Sequence, residues 1–203
     1  MKRLLILTLS LILSAPAFAQ TFYVNAEGAY LNTGIRIAEL SDAGKTVTPV
    51  TGHGASVGVG VSQVMKRRGH REFLMESKTL VDYAYVGRIA GRGADWNTLY
   101  VSIPVLAKYR IPFGHGSFDV AAGPKASLGV MNRMTFDGHT SANAFDEDGI
   151  RRFDVQAYCE ASYTVFKGVQ LKAAYGQGLT DLVPGPEVRA TRSNLYLGII
   201  YQL

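Results

Sequence analysis

Hydrophobic and polar residues alternate with a period of two along most of the chain from Phe22 onward. This alternation indicates β-strands with one apolar face, because successive side chains of a strand point to opposite sides. In the segment 99–110 the odd positions are apolar, whereas the even positions include Ser102, Lys108 and Arg110. The pattern predicts eight strands, near 22–31, 54–65, 71–87, 96–111, 116–131, 151–166, 169–180 and 192–203.

The connections between these strands alternate in length. Four are long or polar (32–53, 88–95, 132–150 and 181–191), and between them lie short turns around Gly69, Gly114 and Gly168. Long loops at one end and tight turns at the other are typical of outer-membrane barrels. The sequence therefore predicts an all-β fold, a transmembrane antiparallel up-and-down β-barrel of about eight strands. The Thr46-Val47-Thr48 run inside the first connection could instead extend a neighbouring strand or add a hairpin.

The charged residues of the predicted strands share one register, opposite to the apolar register. An eight-stranded barrel has an interior just wide enough for side chains. We therefore expect six acids and four lysines to form a polar network of salt bridges that fills the lumen. A narrow, porin-like conducting path and a soluble barrel with the two faces exchanged remain as alternatives. The predicted network consists of Glu27, Glu76, Lys78, Asp82, Lys108, Asp119, Lys125, Asp154, Glu160 and Lys172.

Two further features favour the membrane. Aromatic residues gather near both ends of the predicted strands, as in the girdles of membrane barrels. They are Tyr30, Tyr83, Tyr85, Trp96, Tyr100, Phe153 and Tyr175 toward the loops, and Phe73, Tyr109, Phe113, Phe118, Tyr163, Phe166 and Tyr201 toward the turns. Residues 1–19 have the form of a cleaved signal peptide: Lys2 and Arg3 precede a short apolar run that ends before Ala17-Phe18-Ala19. We therefore expect a signal peptide at 1–19 and an outer-membrane β-barrel domain at 20–203.

Composition removes several classes of protein. The formal net charge of +5 falls to +3 without Lys2 and Arg3, an excess too small to indicate nucleic-acid binding. The predicted mature chain has no run of eighteen apolar residues, which argues against a helical membrane protein. Cys159 is the single cysteine, so an internal disulfide is excluded. Its position in the apolar register predicts that it faces lipid and has no chemical role.

Three stretches carry a resemblance to a known family. They are 100–109 (YVSIPVLAKY), 120–125 (VAAGPK) and 194–201 (NLYLGIIY). With these stretches the chain resembles the PorT-like family of outer-membrane barrels. The resemblance implies an outer-membrane location, eight strands and, for some relatives, a link to a protein secretion system. Such chains usually end on an aromatic residue that the barrel-assembly machinery reads, whereas this chain ends on Leu203, two residues after Tyr201.

Seven arginines lie in or beside the predicted long loops. Guanidinium groups suit bidentate contact with phosphate, so we expect several of them to bind lipopolysaccharide at the outer leaflet. Ordinary soluble loop charge is the alternative. The set comprises Arg88, Arg92, Arg133, Arg151, Arg152, Arg189 and Arg192.

Two loop motifs offer other chemistry. His139-Thr140-Ser141 would suit a membrane-embedded lipid hydrolase, which needs a histidine beside a serine nucleophile. Asp146-Glu147-Asp148-Gly149 lacks the spacing of a calcium loop. We interpret both as polar loop residues.

The expected function is therefore non-enzymatic, without a cofactor or a metal. The chain would have a structural, surface or secretion-accessory role in the cell envelope. The expected partners are outer-membrane lipid and lipopolysaccharide, the barrel-assembly machinery and envelope or secretion-system proteins, with no nucleic acid.

Overall fold

The part of the chain that the structure describes contains nine strands. The computed structural model describes residues 22–41, 44–89, 92–136, 139–141, 143, 145, 150–183 and 188–203. The strands are β1 (Phe22–Ser41), β2 (Gly44–Arg68), β3 (Arg71–Ile89), β4 (Arg92–Phe113), β5 (Gly116–Phe136), β6 (His139–Ser141), β7 (Phe153–Phe166), β8 (Val169–Gly178) and β9 (Val188–Gln202).

Eight of the strands form a closed antiparallel ring in the order β1-β2-β3-β4-β5-β7-β8-β9. The ring closes where β1 pairs with β9, with Glu27 opposite Ile200, and where β4 pairs with β5. The three-residue β6 pairs with the last residues of β5 and adds a short edge there. The predicted all-β, up-and-down barrel of about eight strands is confirmed.

The two ends of the barrel differ in how the strands are connected. Two-residue turns join β2 to β3, β4 to β5 and β7 to β8 at one end, which we call the turn end; the opposite end is the loop end. Each turn holds a glycine with positive φ: Gly69 (62°), Gly114 (60°) and Gly168 (79°). Tight hairpin turns need this conformation, which residues with a side chain rarely adopt. The three predicted turns therefore lie at these glycines, as the sequence indicated.

The predicted loops 32–53 and 88–95 are mostly strand, so those predictions were wrong. Strands β1 and β2 stay paired as far as Ser41 opposite Gly44, and β3 and β4 as far as Ile89 opposite Arg92. The 46–48 run belongs to β2, as the alternative held. The reason is a reversal of the hydrophobic phase, by which we mean that the apolar positions change from the outward to the inward register of the strand. Up to Tyr30 the outward positions of β1 are apolar, but beyond it Asn32 and Arg36 face outward and Ile35 faces inward.

The outward face carries an apolar band between these two ends. On β3 the band runs from Phe73 to Tyr83, both about two-fifths exposed. Ten residues span about 33 Å, and a strand tilt of about 40° reduces this to about 25 Å, the height of the lipid-facing band of outer-membrane barrels. Exposed apolar side chains around a charged interior are the reverse of a soluble barrel. The soluble alternative is therefore wrong.

The aromatic girdle is denser at the turn end, where Phe113, Phe166 and Tyr201 are at least half exposed. At the loop end Tyr30 and Phe153 face outward, but Trp96 and Tyr100 are buried inside the barrel. Their assignment to the girdle was wrong, because both occupy the inward register of β4. Within the described residues, no helix has the length and hydropathy needed to cross a membrane.

Candidate functional site

Polar side chains, packed among a few apolar ones such as Leu80 and Leu106, fill the barrel interior along the height of the apolar band. The structure places all ten charged residues of the predicted network there, each at most 9% exposed. They form four groups, which we describe from the middle of the barrel toward each end. A buried charge is tolerated when an opposite charge and hydrogen bonds compensate its lost hydration, so the contacts of each group decide what the interior can do.

The central group joins two lysines to three carboxylates. Lys78 Nζ lies 2.7 Å from Glu160 Oε2, 2.9 Å from Glu27 Oε2 and 3.6 Å from Glu76 Oε2. Lys172 donates to Glu27, and its Nζ lies 3.6 Å from Glu160 Oε2. These residues come from β1, β3, β7 and β8. The group therefore ties strands on opposite sides of the ring across the lumen.

The next group lies toward the turn end. Lys108 Nζ is 2.8 Å from Glu76 Oε2 and 4.0 Å from Asp119 Oδ2. Arg110 donates to both oxygens of Asp119, with Nε 3.0 Å from Oδ1 and Nη2 2.9 Å from Oδ2. Its guanidinium carbon lies 4.9 Å from the centroid of the Tyr23 ring. The predicted set omitted Arg110, although its even position on β4 places it in the same register as Lys108.

The third group lies on the loop side of the centre. Lys125 Nζ donates to Asp82 Oδ2 at 2.7 Å and also to the Tyr196 hydroxyl, and Ser102 donates to the same Asp82 oxygen at 2.9 Å. The rings of Tyr158 and Tyr196 meet edge to face, with centroids 5.8 Å apart. Two buried rings and a lysine stem therefore occupy the lumen at this level.

The fourth group closes the polar region toward the loop end. Arg192 donates to Asp154 Oδ2 through Nε at 3.1 Å and Nη2 at 2.9 Å, and its guanidinium carbon lies 3.7 Å from the centroid of Tyr100. The Thr180 hydroxyl donates to Asp154 Oδ1 at 2.7 Å. The assignment of Arg192 to lipopolysaccharide contact was wrong, because it lies in the inward register of β9 and is 5% exposed.

With Arg110 and Arg192 added, the four groups contain six cations and six carboxylates among the residues that the structure describes. The network predicted from the sequence contained four lysines as its cations. The signal that could have found the two arginines was the parity of β4 and β9: Arg110 continues the register of Lys108, and Arg192 continues that of Asn194.

The other predicted loop arginines have mixed surroundings. Arg133, Arg151 and Arg189 are exposed, whereas Arg152 is half-buried, with its guanidinium carbon 5.3 Å from the centroid of the buried Phe145. The side chains of Arg88 and Arg92 lie outside the described part. The structure therefore brings three exposed arginines to the loop end.

An apolar pocket of about 250 Å³ lies directly beyond Arg192, inside the loop end of the barrel. Its walls come from the part of the strands where the hydrophobic phase is reversed, and they include Ile35, Ile37, Val86, Trp96, Met134 and Leu182. Sequence reasoning missed this pocket, because it treated most of these positions as loop.

The two loop motifs offer little that can be assembled into a catalytic or metal site. Ser141 is buried in β6, and the His139 side chain and residues 146–149 lie outside the described part. Among the residues that the structure describes, no group of three or more His, Cys, Asp or Glu could hold a metal ion.

No curated protein has a sequence that matches this chain. Among solved structures, the chain is similar to Neisserial surface protein A (16% identity, TM-score 0.42, 92% of this chain and 100% of that one). It is also similar to Ail, the attachment invasion locus protein of Yersinia pestis (10%, 0.42, 88% and 98%). A third is the outer membrane protein OprG from Pseudomonas aeruginosa (12%, 0.39, 91% and 97%).

The family model for the outer membrane protein β-barrel domain matches residues 18–183, far more than half of the chain. The closed eight-stranded ring, the apolar outward band and the charged interior are the structural features such a domain needs. The chain therefore belongs to the outer membrane protein β-barrel domain family and is an outer-membrane β-barrel protein.

Proposed function

We propose that this protein is a non-enzymatic structural or surface component of the outer membrane, and that its lumen is closed by side chains. The single observation that supports this is the series of ion pairs that occupies the interior at four successive levels, from Arg110–Asp119 to Arg192–Asp154. At the central level the ion pairs join β3 to β7 across the lumen, and at the outer levels the stacking of Arg110 on Tyr23 and of Arg192 on Tyr100 joins distant strands. An ion that entered the lumen would have to break several buried ion pairs to pass.

Electrical conductance in planar lipid bilayers tests this proposal against the narrow porin-like channel. We expect no discrete conductance steps from the wild-type protein. The double variant Tyr158→Ala/Tyr196→Ala removes two buried rings from one level of the lumen and should produce small conductance steps. The matched control Tyr83→Ala/Tyr175→Ala removes two outward-facing rings and should stay silent. Steps from the wild-type protein that equal those of the lumen variant would reject the closed lumen.

Export and orientation form part of the same proposal. Residues 1–19 act as a signal peptide that is removed, the turn end lies in the periplasm and the loop end faces outside. The mass of the protein isolated from outer membranes should correspond to a chain that begins at Gln20. A tag inserted at Gly114 should stay protected from protease in intact cells, and a tag within 184–187 should be cut.

Lipopolysaccharide is the proposed lipid partner. Arg133, Arg151 and Arg189 support this, because they are exposed at the loop end, where phosphates of the outer leaflet would lie. The triple charge reversal of these arginines to Glu should lower the amount of lipopolysaccharide that co-purifies with the barrel. Reversal of Arg68 and Arg71, which are exposed at the turn end, is the matched control. Equal co-purification from both variants would contradict the contact.

Protein partners in the envelope are also proposed. The outward side chains Leu197, Ile199 and Tyr201 of β9 give the alternating apolar edge that the barrel-assembly machinery would meet during insertion. A secretion-system protein or another envelope protein is the proposed steady-state partner. A photo-crosslinking residue at exposed His115, at the turn end, should capture such a protein from intact cells. The same residue at outward-facing Val81 should yield only lipid adducts.

A lipid-modifying hydrolase remains the alternative. Lipid A from cells with and without the gene should have the same mass spectrum if the protein is not an enzyme. A change that disappears with His139→Ala or Ser141→Ala would instead favour the hydrolase.

A further inference from the structure

The apolar pocket at the loop end has no role in a purely structural barrel. Its walls are inward-facing side chains of β1, β3, β4, β5 and β9, together with Ile150, Leu182 and Val183 from the connections, in the part of the barrel that extends beyond the apolar band. Ile35, Val86 and Trp96 are each at most 7% exposed. Above the membrane, a strand needs only backbone pairing and an outward polar face. Apolar side chains directed inward at this level therefore enclose a space of about 250 Å³.

The floor of the pocket is formed by Arg192 and Tyr100. Arg192 is already bonded through two nitrogens to Asp154, and its guanidinium group lies flat enough on Tyr100 to come within 3.7 Å of the ring centroid. The charge at the floor is thus balanced within the protein. A charged ligand would arrive without a counter-charge, whereas a neutral ligand would lose little hydration.

The connection after β8 folds back over the pocket. The Leu182 side chain is buried, its backbone N–H donates to Ala190 O at 2.8 Å and its carbonyl oxygen accepts from Arg151 N at 2.8 Å. Asp181 Oδ1 accepts the Ala190 N–H at 2.8 Å. Three hydrogen bonds therefore hold this segment and its apolar side chain over the pocket, where a simple solvated loop would have turned outward.

We propose that this pocket binds a neutral apolar molecule of about the size of a substituted benzene ring. An engineered cavity of about 150 Å³ lined by Leu, Ile and Phe holds one benzene molecule, so a similarly lined cavity of about 250 Å³ has room for a ring with a short substituent. The ligand reaches the loop end of the barrel and stops at the Arg192–Asp154 pair. The barrel is thus a receptor for a small hydrophobic compound, which goes beyond the proposed structural role.

Trp96 provides the readout, because it is the only tryptophan of the chain and lies in the pocket wall. The folded protein in phospholipid vesicles is titrated with bromobenzene, whose bromine quenches indole fluorescence at short range. We expect saturable quenching in the wild-type protein. Ala190→Leu fills part of the pocket and should weaken the apparent affinity at least tenfold. Ala107→Leu, the same change at an outward-facing alanine, should leave the affinity unchanged.

Three outcomes overturn the proposal. Quenching that rises linearly and is equal in the wild-type and Ala190→Leu proteins means that bromobenzene only partitions into the bilayer. Absence of quenching means that the protein itself fills the pocket. Strong quenching by lipids brominated in their acyl chains, without bromobenzene, means that a lipid tail occupies it. Heat-modifiable migration checks that Ala190→Leu folds, and Ile37→Phe replaces it as the pocket-filling variant if it does not.

Discussion

The ammonium group of Lys78 lies 2.8 Å from Oε1 and 2.7 Å from Oε2 of Glu160, a residue 82 positions later in the chain. The contact joins β3 to β7 across the lumen, and Glu27 from β1 adds a third strand. Because the two strands are not neighbours in the ring, the ion pair acts as a cross-brace that no backbone ladder provides. The stability of the barrel should therefore depend on the compensation of buried charge at this level.

Removal of the central lysine should destabilise the barrel strongly. Lys78→Met leaves Glu27, Glu76 and Glu160 close together without their shared cation, and breaking a buried pair in this way costs about 3–5 kcal/mol. Urea-induced unfolding in lipid vesicles measures the change in the free energy of unfolding. The double variant Lys78→Met/Glu160→Gln should recover part of the loss, because it removes one of the stranded charges.

The matched control for this prediction is Lys66→Met, which removes an exposed lysine near the β2–β3 turn. We expect a change within about 0.5 kcal/mol, as for most surface substitutions. Equal effects of the two lysine substitutions would contradict the role of the central group.

Gly129 should tolerate no side chain while Phe145 keeps its position. A Cβ atom at position 129 would lie 2.0 Å from Phe145 Cζ, and the Phe145 ring packs edge to face on Tyr100 with centroids 5.9 Å apart. Gly129→Ala should therefore cost about 1–3 kcal/mol, the usual range for overpacking. The measurement is unfolding in vesicles, together with the rate at which protease cleaves the β5–β7 connection.

A double-mutant cycle isolates this contact. Once Phe145→Ala has removed the ring, the additional Gly129→Ala substitution should cost much less than it does alone. Additive effects of the two substitutions would show that the clash is not the cause.

The boundary of the apolar band should be visible in the cost of a charge. Leu197 is 52% exposed on the outward face within the band, so Leu197→Arg should cost about 2–4 kcal/mol, as lipid-facing arginines do near the bilayer midplane. Thr51 is also outward and exposed but lies beyond the band, so Thr51→Arg should cost about 0–1 kcal/mol. The free energies of unfolding in vesicles should differ accordingly, and similar values would place the boundary elsewhere.

Cys159 should be protected by lipid and not by protein. Its side chain is exposed on the outward face of β7. We expect a membrane-impermeant, charged thiol reagent to leave it unmodified in vesicles, whereas an apolar maleimide modifies it. In the variant Cys159→Ala/Thr51→Cys, the new thiol lies beyond the band and should react with both reagents. Rapid reaction of Cys159 with the charged reagent would contradict its contact with lipid.

The sequence by itself determined the eight-stranded barrel and the direction of its faces. Between Phe73 and Tyr83, as in the other strands, hydrophobic and polar residues alternate with a period of two. This pattern is visible in the local sequence because the side chains that face lipid must be apolar, whereas those that face the lumen are polar. The turns could be predicted for a similar reason, since Gly69, Gly114 and Gly168 supply the positive φ that they require.

Only the tertiary structure decided where the strands end, how the interior charges pair and what the loop end encloses. Beyond Leu31 the alternation continues with its phase reversed, so that the apolar side chains face inward. The sequence prediction assumes strands with an apolar outward face and therefore assigns Ile35 and Val50 to a loop. The pairing of Arg192 with Asp154 depends on strand register across 38 residues, which local pattern does not contain. The pocket exists because side chains of five strands converge above that pair, a consequence of ring closure and not of any single segment.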